Sequence, residues 1–186
     1  MISIQDLITE ISNSTGKKKV LELSRIFRDE QFALGDLIDL TFSADKKIAF
    51  KAVWVLENVF LRSPVIYETD IEYLVSRIKD VKHASCQRHY AKIMMHISAK
   101  KAPPLIQQKL QQLNLEPVVE QCFDWIRDPK VLVAAKIFAS ETLFNLIDRY
   151  PWIKKELADQ VSFLIKTSSA AMQSMGTMLL AKLSLR

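Results

Sequence analysis

Glycine is nearly absent from this chain, at three of 186 residues. Sandwiches and barrels of short strands need many tight turns, and those turns want the positive-φ positions that glycine fills at least steric cost. Its scarcity excludes such folds and implies long regular elements joined by brief links. It also removes the phosphate-cradling and nucleophile-elbow motifs, G-x-x-x-x-G-K-[ST], G-x-G-x-x-G and G-x-S-x-G, none of which occurs. Cysteine is equally sparse. Cys86 and Cys122 fall inside apolar helical patterns without metal-ligand spacing, so they read as buried free thiols suited to a reducing compartment. No apolar run approaches the length of a membrane span. The opening MISIQDLITEISN interrupts its apolar pattern with Asp6 and Glu10, unlike a signal peptide. The expectation is a soluble, cytoplasmic protein with no membrane partner.

Hydrophobic residues make up 49% of the chain and charged residues 25%, a balance that excludes disorder over most of its length. The net charge of +5 admits a nucleic-acid partner, but it is no more than a small domain uses to stay soluble.

Apolar residues recur at three- and four-residue spacing almost throughout. Ile4, Leu7, Ile8 and Ile11 form a first short helix; Val20, Leu23, Ile26 and Phe27 a second; Phe32, Leu34, Leu37, Ile38 and Phe42 a third. A fourth helix starts after Ser43 or Asp45 and stops before Pro64, and a fifth runs from about Ile66 to Lys79. Asp80 reads as the cap of a sixth. Pro103 and Pro104 suit the first turn of a short extra helix, where a missing N–H costs nothing. Another begins near Pro117, and Asp128-Pro129 reads as a cap followed by an N1 proline. The helix they open is apolar on nearly every side and belongs between neighbours. Pro151 and then Ser168 or Ser169 open the last two.

Three of these helix starts align. DKKIAFKAVWVLENVF from Asp45, DVKHASCQRHYAKIMM from Asp80 and DPKVLVAAKIFASETL from Asp128 share Asp, then Lys two residues on, then small or apolar residues at common offsets. Offset four holds Ala49, Ala84 and Leu132; offset ten holds Val55, Tyr90 and Phe138; offset eleven holds Leu56, Ala91 and Ala139. Alanine lets a second helix approach closely, and a helix pair that cannot cover its own apolar stripe must stack on another.

This pattern resembles the HEAT repeat family, of the armadillo type, in which the second helix of each unit opens with Asp, an apolar residue beside a basic one, and spaced alanines. Asp45, Ile48, Ala49, Ala52 and Leu56 fit it, as do Asp128, Val131, Ala135 and Ala139. The middle copy departs with His83 and Gln87, and the starts are unequally spaced by 35 and 48 residues. The resemblance runs from about Phe32 to Leu183. It implies a right-handed superhelix whose second helices line a binding surface.

Little chemistry is visible. His83, His89 and His96 all fall on the sixth helix, six and seven residues apart. His89 and His96 share a face but lie about 10 Å apart along the axis, too far to hold one ion. Cys86 and His89 could touch across one turn, but nothing supplies the orienting third group that a nucleophilic pair needs. Glu57 and Glu141 occupy similar offsets in their repeats, either projecting toward a common concave surface or simply solvated. Ser85, Arg88, His89, Lys92 and His96 follow helical spacing and are expected on one solvent face. Such a basic stripe can neutralise phosphates, the mode that helical-repeat proteins resembling the alkylated-base DNA glycosylases use. Trp54 beside Glu57 has the composition of a base-flipping pocket, while core packing is the plainer role for Trp54, Trp125 and Trp152.

The sequence thus predicts an all-α, right-handed α-α superhelix of about ten helices in stacked antiparallel pairs. One domain is expected over residues 1–186, with capping helices at 1–30 and repeats at 31–184. The expected function is a non-catalytic module that binds another macromolecule, foremost a protein, with DNA binding as the alternative. The candidate surface comprises Arg88, His89, Lys92, Glu57 and Glu141. No cofactor or metal is expected, and whether the protein is an enzyme is left open.

Overall fold

The computed structural model describes residues 4–13, 16–29 and 34–185. Phe32, the side chains of Ile4 and Phe27, and the boundary expected at residues 30 and 31 lie outside the described residues. Eleven α-helices and two short 3-10 turns make up the described residues, among which there is no strand. Helices α1 (Ile4–Asn13) and α2 (Gly16–Asp29) precede four pairs. These pairs are α3 (Leu34–Leu40) with α4 (Lys46–Arg62), α5 (Ile71–Ser76) with α6 (Ala84–Ser98), α8 (Glu116–Arg127) with α9 (Val133–Leu146), and α10 (Ile153–Thr167) with α11 (Ala170–Ser184). The extra helix α7 (Pro104–Gln112) is inserted between α6 and α8, which accounts for the longer spacing of the third repeat start.

The second helices of the pairs pack in sequence, α4 on α6, α6 on α9 and α9 on α11, while α2 covers the free side of α4. Cys86 near the start of α6 reaches the Ala49 carbonyl near the start of α4, and Lys92 further along α6 reaches Glu57 further along α4. Helices α4 and α6 therefore run parallel and nearly in register. Offset eleven is buried in every copy: Leu56, Ala91 and Ala139 have no exposed surface. Alanine there keeps the axes close, and a larger residue would have to displace packed atoms.

Helix starts were only partly legible. Asp45 caps α4, its Oδ1 accepting from the Lys47 and Ile48 amides at 2.8 and 3.4 Å. Asp80 and Asp128 do not cap. The intended fifth helix breaks into two 3-10 turns around α5, Asp80 receives the Arg77 guanidinium at 2.9 Å, and α6 starts at Ala84. The Asp128 carboxylate accepts from the Lys130 amide, short of any helical turn, and α9 starts at Val133, four residues beyond Pro129. Ala84 and Leu132, aligned with buried Ala49, are consequently exposed. Pro103 and Pro104 do open α7, and at its far end the Arg149 guanidinium donates to the carbonyls of Leu110 and of Leu113, the residue just past the helix.

The outermost pair is drawn together at Gly176, where a Cβ would lie 2.7 Å from Ile165 Cγ1. Within the stack, Tyr90 is fully buried, and its hydroxyl lies 2.8 Å from that of Thr41. Thr41 already donates its only hydroxyl proton to the Ile38 carbonyl at 2.7 Å, so Tyr90 is the donor. This bond ties the end of α3 to the middle of α6.

Candidate functional site

Parallel stacking brings matching offsets of adjacent second helices side by side, and this builds the only multi-residue charged cluster buried among the described residues. Glu57 on α4 is 6% exposed. Its Oε2 accepts a hydrogen bond from His89 Nδ1 at 2.6 Å, and its Oε1 accepts from Lys92 Nζ, both from α6. An ionised carboxylate only accepts, so the His89 proton is on Nδ1. Burial alone would raise the Glu57 pKa; the bonds from His89 and Lys92 outweigh it and hold the carboxyl below its ordinary 4.5.

The five candidate residues therefore separate. Glu57, His89 and Lys92 come together. His89 is not on a solvent face but 2% exposed, because its ring turns into the α4–α6 interface to meet the carboxylate. Lys92 is half-buried by the same contact. Arg88 is exposed and apart from the cluster. Glu141 stands two interfaces further along, between α9 and α11, where it accepts from Lys182 at 3.0 Å. Glu57 and Glu141 do not converge on one pocket.

Phe50 and Trp54 lie one turn apart on α4 with ring centroids 5.8 Å apart, and the Phe50 ring is 6.1 Å from that of His89. Phe50 is 36% exposed and Trp54 half-buried, so this aromatic group is open to a ligand, whereas Trp125 is core. Phe50 escaped the sequence reading. The available signal was its failure to fit the inward set Ala49, Ala52, Val53 and Leu56.

Cys86 lies 3.8 Å from His83 Nδ1 rather than against His89, and its thiol points at the Thr41 and Ala49 carbonyls. Burial pushes its pKa up to about 11, the opposite of an activated nucleophile. Among the described residues, no group of three or more His, Cys, Asp or Glu is placed to hold a metal, and no helix is long and apolar enough to cross a membrane.

Stacked helix pairs whose second helices run parallel through a continuous layer define an α-helical repeat protein. The family model for the HEAT repeat domain matches residues 7–183, nearly the whole chain, and the chain belongs to that family. No curated protein and no solved structure matches it.

Proposed function

We propose that this chain is a non-catalytic scaffold that binds another protein along the layer formed by α4, α6, α9 and α11. The observation that carries this reading is the continuity of that layer. Four parallel helices present one uninterrupted surface, and a repeat stack of this kind builds an extended face rather than an enclosed site. Phe50 and Trp54 give it an open aromatic anchor of the kind enriched at interface centres. The polar residues of the layer that are best placed for chemistry, Glu57 and His89, are instead closed into an interhelical bond.

The test is photo-cross-linking in native extract from a probe placed at Phe50, compared with one at Glu120 on the opposite layer. A partner captured from position 50 and lost in Arg88→Glu supports the reading. Capture from position 120 alone overturns it.

A further inference from the structure

The charges of the four helix pairs are sorted between the two layers. The second helices α4, α6, α9 and α11 hold eight basic residues and two acidic ones, whereas their partners α3, α5, α8 and α10 hold four basic and eight acidic. Both acids of the second layer are already engaged, Glu57 by His89 and Lys92, and Glu141 by Lys182. Neither offers a free negative charge to an incoming ligand. The cations are used unequally. Lys92 and Lys182 are held by those acids and Lys51 by the Ser12 carbonyl, while Lys46, Lys47 and Arg88 are exposed to solvent. Lys46 and Lys47 stand one turn before Phe50 on α4, and Arg88 precedes His89, the ring neighbour of Phe50, on α6.

We infer that this surface binds an acidic protein segment carrying an aromatic or bulky apolar residue, seated at Phe50 and Trp54 and flanked by Lys46, Lys47 and Arg88. The inference rests on the protein-binding reading above and adds the chemistry of the partner. Complementary charge steers such a segment to one layer and away from the acidic one, and the aromatic pair supplies the desolvated contact that charge alone does not. A nucleic-acid duplex fits less well. Its phosphates form a dense regular row, whereas the solvated cations here are few, interleaved with rings, and set on helices about 10 Å apart.

The probe is a short fluorescein-labelled peptide of Asp and Glu with a central Phe, measured by anisotropy against the full chain. The comparisons are the same peptide with Lys for each acid, the same peptide with Ser for Phe, and a DNA duplex of equal charge. The acidic Phe peptide should bind best, with its affinity falling as salt rises. Lys47→Glu/Arg88→Glu should weaken it about tenfold or more, and Phe50→Ser should bring it to the level of the Ser peptide. Glu120→Lys on the other layer should leave it unchanged. All of these positions are exposed, and circular dichroism verifies that each variant folds. Equal binding of the Lys peptide, tighter binding of the duplex, or indifference to Lys47→Glu/Arg88→Glu overturns the inference. A basic or neutral partner cross-linked from position 50 would also overturn it while leaving the scaffold reading intact.

Discussion

Glu57 and Lys92 stand twelve residues after Asp45 and Asp80 respectively, and in the folded chain they meet as an ion pair across the α4–α6 interface. Equal offset in the repeat has become contact in space, because the two helices are parallel and nearly in register.

Breaking this cluster should be costly. His89→Ala removes one of two donors to a buried carboxylate and should destabilise the chain by about 3 kcal/mol, since a half-paired buried charge loses its compensation. Glu141→Ala removes a pair whose lysine is 45% exposed, and should cost at most about 1 kcal/mol. Urea denaturation of both variants at neutral pH measures the contrast; equal losses would remove the distinction.

The cluster also sets an acid dependence. Glu57 is held below its ordinary 4.5 in the folded state, so its contribution is fully present above that value and is lost as pH falls through the lower folded pKa. Stability should drop on acidification below pH 4.5, and Glu57→Gln should flatten that part of the profile. Urea midpoints collected across the acidic range would show parallel profiles if Glu57 contributes nothing.

Tyr90→Phe should cost about 1–2 kcal/mol with the fold retained. The ring and its packing stay, but the buried Thr41 hydroxyl loses the proton it accepts. The matched variant Thr41→Val, which deletes the partner as well, should show little additivity with Tyr90→Phe in a double-mutant cycle.

Gly176→Ala opposes two effects. Alanine gains up to about 1 kcal/mol of helix propensity over glycine, but its methyl group would lie 2.7 Å from Ile165 Cγ1 and 3.2 Å from Val161 Cγ1. Both neighbours are β-branched and stiff, so overlap wins and a net loss of about 1 kcal/mol is expected. Adding Ile165→Ala should relieve part of it. A melting temperature raised by Gly176→Ala alone would show that α10 and α11 can separate cheaply.

Neither thiol should react in the folded chain. Burial raises both pKa values, that of Cys86 to about 11, and Cys122 is fully buried. Ellman's reagent at mildly alkaline pH should label both only as the protein unfolds, at the rate of unfolding. Fast labelling of Cys86 would place it at the surface.

Much of the stack was readable beforehand for a definite reason. Residues that face a neighbouring helix obey the 3.6-residue period wherever they occur, so Val55, Leu56, Tyr90, Ala91 and Ala139 could be assigned to buried layers without coordinates. Caps were less readable. Asp80 and Asp128 have the composition of N-caps, but a carboxylate caps only if the backbone beyond it turns helical at once. At Asp80 the Arg77 guanidinium competes for it, and at Asp128 the helix begins several residues later.

The candidate site divides in the same way. Periodicity placed Arg88, His89 and Lys92 on one helical face, and that much is a property of the chain alone. Which side of that face met water was decided by α4, whose Glu57 draws in His89 and Lys92 and leaves Arg88 outside. A sequence records the angle at which a side chain leaves its own helix. It does not record the charge waiting on the helix packed against it, and for a buried ion that charge outweighs the preference for solvent.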